Sequence, residues 1–398
     1  ALITCAILAA GCTGPGTIPL PAATAPEIPM KVPVEPIPVR SSEGMNLAYE
    51  LEFHPPGNLT VLPEKVEVID KATGRVLETI DGDHLELLWH PATYPPPTQE
   101  EIDTFTSKLP HPRLSVWLVV SPSEVPDRLV HRVTLNRNAE GLPPVTLLGG
   151  EVAVRKDLKP VVIASPVRGP GWLIIETTWP FTHHFRAQIT TKGGTRVPQR
   201  YAQDLIGADP RTGRLASDNM TEIRSWYGYG SELYAVADAT VADTLDGLPD
   251  IPTIYSTPPA TITTACGNYV ILDLGNDKYA CYGHMIPGSI TVKKGDRVTE
   301  GQVIGLVGNS GNSDVPHLHF QVVNGTPSFL GAEGYPHVYR SFDAIGRGDQ
   351  EQIDEKTSVD DFSGILFWEE YPDFMTRYET PLQRQMMLPD NHNLVRLP

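Results

Sequence analysis

The chain has 398 residues, which at roughly 150 residues per domain argues for two or three domains. An apolar fraction of 40% and a charged fraction of 20% exclude a disordered or membrane-embedded bulk, while 39 Pro and 34 Gly argue against helical bundles and for strands, turns and a stiff linker. With 31 Lys+Arg against 48 Asp+Glu the formal charge is −17, which argues against nucleic acid as a partner, because that affinity rests on basic side chains neutralising phosphates.

Residues 1–12 read as an export signal. The run Ala1–Gly11 is almost wholly small or apolar and resembles the end of a signal peptide, too short to span a bilayer. Leu8-Ala9-Ala10-Gly11-Cys12 resembles a bacterial lipobox, with its Leu one place farther from the Cys than usual. The resemblance implies a lipid anchor through Cys12 and an exported protein of the cell envelope, periplasmic or membrane-anchored. Residues 13–45 then read as a Pro-rich linker in extended polyproline geometry, with Pro15, Pro19, Pro21, Pro26, Pro29, Pro33, Pro36 and Pro38.

Residues 46–165 carry short alternating or β-branched runs at Leu47–Phe53, Lys65–Ile69, Leu85–Trp89, Leu114–Val120, Leu129–Leu135 and Val145–Leu148, separated by Pro and Gly clusters. This spacing predicts a β-sandwich, with one helix over Gln99–Leu109. His54, His84, His90, His111 and His131 are scattered without ligand-like spacing and read as structural or surface residues.

Residues 166–345 form the second predicted domain, a series of short Gly-bounded strands. Tyr269–Asp273 and Lys278–Tyr282 read as a hairpin around a Gly275-Asn276 turn. That register sets Cys281 opposite Val270, on the order of 13 Å from Cys266 and too far for a disulfide, so two free, buried thiols are predicted. Near the end of this domain stands His317-Leu318-His319-Phe320. Side chains alternate along a strand, so His317 and His319 point the same way, and neutral imidazoles are the commonest metal ligands.

The pieces around this H-x-H recur in order over about 90 residues: Ala235-Val236-Ala237-Asp238-Ala239-Thr240-Val241, Gly267-Asn268-Tyr269-Val270, Tyr282-Gly283-His284-Met285, Gly295-Asp296-Arg297-Val298, Gly301-Gln302-Val303-Ile304-Gly305, and Gly308-Asn309-Ser310-Gly311 running into the H-x-H. Together they resemble the lysostaphin/LytM-type zinc metalloendopeptidases that cut peptide cross-links in bacterial peptidoglycan. The resemblance implies an all-β fold: a compact antiparallel β-sheet metallopeptidase core behind the N-terminal β-sandwich, with few helices. It implies Zn²⁺ held by His319 and by a His and an Asp four residues apart, with His317 and His284 as catalytic residues. Asp204, in Gln199-Arg200-Tyr201-Ala202-Gln203-Asp204, is the best match for the carboxylate ligand.

Here the sequence departs from the family pattern. Four residues before Asp204 stands Arg200, whose guanidinium has no lone pair for a metal. Gln199 lies five before Asp204 and points to the opposite face of a regular strand. Hairpin arithmetic offers a substitute: with Gly193-Gly194 as the turn, Lys192 pairs with Thr195 and, stepping outward, His183 pairs with Asp204, placing their Cβ atoms about 4.5–5.5 Å apart. A slip of one residue presents His184 instead. The predicted metal site is therefore His183 (or His184), Asp204 and His319, with the fourth position left to water.

No H-E-x-x-H supplies a glutamate base. Proton transfer then falls to His317 as the likelier base and to His284, whose unperturbed pKa values lie near neutrality. The resemblance implies a hydrolase that cleaves peptide cross-links or stem peptides of peptidoglycan. The alternative is a family member whose metal site has degenerated, acting as a non-catalytic wall-binding module or an activator of other wall hydrolases; Arg200 supports it. Residues 346–398 read as a C-terminal extension that packs back and ends in a loose tail; His392 within it and His337 before it read as incidental.

Overall fold

A computed structural model describes residues 28–57, 60–136, 144–254, 256, 261–356 and 365–398. The expected signal and lipobox at 1–12, and the linker up to residue 27, lie outside the described residues. The all-β expectation holds: the protein is built from strands with a few short helices.

Two sheets form the N-terminal sandwich. One runs Met30–Lys31, Met45–Phe53, Arg113–Val120, Trp89–His90, with Val39–Arg40 also paired to Met45–Phe53; the other runs Val76–Asp81, Pro63–Asp70, Arg128–Leu135, Val145–Ala153. Leu47, Leu51, Phe53, Leu114, Val116 and Leu118 of the first sheet pack on Val66, Val68, Leu129 and Val133 of the second. Arg128–Leu135 alternates buried and half-exposed residues, as a strand with one wet face must. Met45–Phe53 does not alternate and is buried on both faces. Its even-numbered residues face the second domain, where Ala48 packs with Trp117, Phe185, Val197, Tyr201, Val338 and Leu388.

Three sandwich expectations are corrected. The linker is paired from residue 30 onward, since Met30–Lys31 and Val39–Arg40 are sheet-edge strands, where Pro is tolerated. Leu85–Trp89 is mostly helix, Gly82–Leu88, because Leu85 and Leu88 stand three apart and both turn to the core. The second helix is shorter than expected, Gln99–Asp103, started by a Thr98–Glu101 capping box and ended at Thr104. His54 and His111 pack with tilted rings, centroids 4.2 Å apart, beside Glu52, and that carboxylate is already held by Arg113 and Lys31.

The second domain is organised by a sheet of twelve strands. Its main path is Val161–Ile163, His337–Gly348, Asn393–Leu397, Gly169–Ile175, Gln203–Gly207, Leu318–Asn324, Lys278–Met285, Asn268–Gly275, Ala239–Leu245, Arg297–Val298. Most pairs are antiparallel; Val161–Ile163 runs parallel to His337–Gly348. The C-terminus is not a loose tail. Asn393–Leu397 is inserted between Gly169–Ile175 and His337–Gly348, with Leu394, Val395 and Leu397 buried, so both of its edges gain backbone hydrogen bonds. His337 and His392 are likewise buried rather than incidental.

The Cys-bearing hairpin turns at Asn276-Asp277, both at positive φ (52° and 56°), as a tight hairpin turn requires. The shift, with a bulge, sets Cys281 opposite Ile271 instead of Val270. Both cysteines are free; Cys281 is buried and Cys266 half-buried.

Candidate metal centre

Three neighbouring strands bring the site residues together. Gln203–Gly207 lies between Gly169–Ile175 and Leu318–Asn324, with Asp204 directly opposite His319 and Ile175. On the far side of Leu318–Asn324, His319 is paired with Gly283, next to His284. A bulge interrupts the pairing of Lys278–Met285 with Asn268–Gly275 at this point, and His284 itself sits at φ 59°, a left-handed conformation, with its ring lining the cleft. Gly267, at φ 63°, lets Ser310 come close; a Cβ there would stand 2.3 Å from the Ser310 carbonyl oxygen. That carbonyl accepts from His284 Nδ1 at 2.7 Å.

The fourth histidine comes from outside this sheet. His183–Arg186 is one helical turn, started by Thr182, whose Oγ1 accepts from Phe185 N at 3.3 Å. The predicted register is corrected here. In the hairpin Ile189–Thr191 pairs with Gly194–Arg196, Thr191 opposite Gly194, so the turn is Lys192-Gly193 and pairing stops at Ile189–Arg196. His183 therefore never pairs with Asp204. It lies at the rim, its side chain 64% exposed, with Nδ1 on Glu176 Oε2 at 2.9 Å. His184 points inward, with Nε2 3.6 Å from Asp204 Oδ2 and its ring centroid 4.6 Å from that of His319.

The donor atoms of His184, Asp204 and His319 all lie within 4.8 Å of one another, and all three residues are buried. His319 Nδ1 stands 3.0 Å from Asp204 Oδ1. The outer nitrogens show that this set fits a metal. His184 Nδ1 faces the Glu176 carbonyl at 3.0 Å, so it carries the proton and leaves the Nε2 lone pair toward Asp204. Gln321 donates its Nε2 to the carbonyls of Pro198 and Phe329, which leaves Oε1 to accept from His319 Nε2 at 2.8 Å. His319 Nδ1 is then the lone-pair nitrogen. Two imidazoles thus aim lone pairs, and Asp204 a carboxylate, at one point. Gln199 also lines the cleft, but its amide lies 3.5 Å from the outer nitrogen of His319, away from that point.

His317 and His284 complete the group, with ring centroids 4.6 Å apart. His317 donates Nδ1–H to the Val315 carbonyl at 2.7 Å and presents Nε2 to Asp204 Oδ1 at 3.4 Å. Burial lowers the His184 pKa to about 3 and holds His284 well below its ordinary value, so both favour the neutral, lone-pair form. For His317 burial acts the same way, but the adjacent Asp204 charge outweighs it and the pKa is raised. Burial would raise Asp204, yet His317 and His184 hold it well below the carboxylate range.

These groups line a cleft of about 500 Å³. Its walls include Ile175, Ile189, Ile206, Cys266, Val315, Leu330 and, from the C-terminal segment, Trp368. Sequence reasoning missed Gln321, Glu176 and Trp368. Only Gln321 carried a signal, since it stands two residues after His319 and so on the same strand face.

The family model for peptidase family M23 matches residues 226–329. The chain carries a peptidase family M23 domain. Within that domain fall His284, His317 and His319, whereas Asp204 and His184 precede it. The peptidoglycan DD-endopeptidase ShyA of Vibrio cholerae serotype O1 is 47% identical over 62 residues, covering 15% of this chain and 14% of that protein. ShyB of the same organism is 30% identical over 132 residues, covering 32% of this chain and 26% of its own length. The chain thus spans about a seventh to a quarter of the length of those relatives. The catalytic domain of lysostaphin from Staphylococcus simulans superposes with a TM-score of 0.20 at 23% identity, covering 30% of this chain and 84% of that domain.

Proposed function

We propose that this protein is a zinc-dependent endopeptidase that hydrolyses peptide cross-links or stem peptides of bacterial peptidoglycan. The observation that carries the reading is the convergence of His184 Nε2, the Asp204 carboxylate and His319 Nδ1, with each imidazole anchored through its other nitrogen. Two nitrogens and an oxygen around an open cleft suit a catalytic zinc site with a free fourth position. The names of the Vibrio relatives support peptidoglycan as the substrate, and an envelope location agrees with it. Export and a lipid anchor through Cys12 belong to this proposal.

A zinc ion held by these residues supplies Lewis acidity, lowering the pKa of a water molecule and polarising the scissile carbonyl. The chain's own groups do the rest. The apolar walls exclude bulk water and orient an extended peptide along the cleft. His317, with Nδ1 fixed on the Val315 carbonyl and Nε2 facing Asp204 Oδ1 at 3.4 Å, takes the proton of the attacking water. His284, fixed on the Ser310 carbonyl, directs its own Nε2 at the same space and serves the oxyanion or the leaving amine.

Arg200 in the expected ligand position favours the second reading, a wall-binding module without catalysis. Purified peptidoglycan incubated with the protein, with and without a chelator, separates the two. Chelator-sensitive release of soluble fragments supports the enzyme, and binding without release supports the module.

A further inference from the structure

The end of the chain reaches the metal centre through a single turn. Ile174 of Gly169–Ile175 is paired with Asn393 of Asn393–Leu397. The segments flanking this pair, Glu176–Thr178 and Asn391–His392, therefore lie side by side, all buried. Two hydrogen bonds tie them: Thr177 N–H donates to Asn391 Oδ1 at 3.3 Å, and Asn391 N–H donates to Thr178 Oγ1 at 2.8 Å.

This turn needs holding. Glu176 lies at φ 58° and Thr178 at φ 38°, left-handed backbone that residues with a Cβ avoid, and Thr is β-branched. Such conformations persist only where the surroundings over-determine them. What the turn delivers is the Glu176 carbonyl, 3.0 Å from His184 Nδ1, and the Glu176 carboxylate, 2.9 Å from the His183 amide. The first sets the tautomer and plane of the His184 ring, and the second fixes the start of its helical turn. Groups behind a metal ligand act on affinity through this kind of orientation.

We propose that Asn391 is a positioning residue of the metal centre, clamping the Glu176–Thr178 turn so that the Glu176 carbonyl aims His184 Nε2 at the ion. The inference rests on His184 being a ligand. It makes the turn that leads into Asn393–Leu397, far outside the M23 match, part of the metal-binding machinery.

The test uses the full chain and Zn²⁺ affinity from chelator competition. Asn391→Ala should weaken Zn²⁺ binding by about 10-fold or more, the usual effect of removing a group behind a ligand. Thr178→Val, a smaller change, should weaken it less. Asn391→Asp keeps the acceptor for Thr177 N–H but loses the donation to Gln350 Oε1 at 3.2 Å, and should bind Zn²⁺ more tightly than Asn391→Ala. The visible absorption of the Co²⁺-substituted protein reports ligand geometry, so it should change more in Asn391→Ala than in Asn391→Asp; a merely structural role would leave it unchanged. Wild-type affinity and an unaltered Co²⁺ spectrum in both Asn391→Ala and Thr178→Val, with metal lost in His184→Ala, would overturn the clamp alone. Metal retained by His184→Ala would overturn the metal assignment and the clamp with it.

Discussion

Arg200 and Glu50 join the two domains through a buried, two-pronged ion pair, with Arg200 Nη2 2.9 Å from Glu50 Oε2 and Nη1 on Oε1. Arg200 Nη2 also donates to Glu333 at 2.6 Å. The position four residues before Asp204, where the family resemblance expects a ligand, is thus spent on docking the sandwich. Ala48 and Trp117 of the same sandwich sheet pack against Phe185, the residue next to His184, so the domain that takes up Arg200 also buttresses the short helical turn that carries His184.

Removing the guanidinium leaves Glu50 and Glu333 buried without their partner. Arg200→Ala should destabilise the protein by about 3–5 kcal/mol, the cost of breaking a buried pair from one side, read as a lower urea midpoint. Arg200→His should not restore metal binding to a His184→Ala protein, because this side chain is directed at Glu50 and Glu333; restored binding would refute that geometry.

Bound metal should follow His184 and Asp204 rather than His183. Asp204→Ala and His184→Ala should each abolish stoichiometric zinc in the purified protein, and His183→Ala, altered only at the rim, should retain it. Full zinc occupancy in Asp204→Ala would sink the assignment.

Gln321 fixes the His319 tautomer from behind. Gln321→Ala should lower zinc affinity about 10–100-fold, whereas Gln321→Glu keeps an acceptor for His319 Nε2–H and should lose less. Equal affinity of the alanine variant and the wild type in chelator competition would remove Gln321 from the site.

His317 and His284 are assigned to proton transfer, not to holding the ion. Alanine at either should leave zinc bound and reduce kcat by about 10²–10⁴. Loss of metal together with activity in either variant would reassign that residue as a ligand.

Acid should weaken the sandwich through His131. This residue is buried, with Nδ1 on the Gly150 carbonyl at 3.0 Å and Nε2 on Tyr49 Oη at 2.7 Å, and burial lowers its pKa to about 4. Between that value and about 6.5, the unfolded chain binds the proton and the folded one does not. Stability is therefore complete above about pH 6.5 and falls as pH drops toward 4, with a limiting slope of about 1.4 kcal/mol per pH unit from this group. Urea midpoints of wild type and His131→Phe across that range check the sign; the variant should have the flatter profile.

Much of the architecture was legible where local pattern and burial agree. Arg128–Leu135 follows from its apolar–polar alternation, Arg113–Val120 from its apolar, β-branched run and Met45–Phe53 from apolar residues at every second position, and the H-x-H from the same period of two. Leu85–Trp89 misled because it satisfies both periods: Leu85, Leu87 and Trp89 alternate as in a strand, while Leu85 and Leu88 stand three apart as on one helix face. The turn at Asn276-Asp277 instead of Gly275-Asn276 shows how a single bulge moves a register that turn residues alone suggest.

The sequence by itself determined the chemistry on offer: a family M23 segment with His284, His317 and His319 in order, an Asp204 upstream, and an Arg200 that cannot bind a metal. Tertiary structure decided which histidine meets Asp204. Hairpin counting assumed that pairing runs unbroken from the turn to His183, but it ends at Ile189–Arg196 and the chain turns into a short helix. The ring that reaches the carboxylate is then set by the Glu176 carbonyl and by Asn391, more than two hundred residues later in the chain. Ligand convergence depends on such long-range hydrogen bonds and packing, which local residue patterns do not encode.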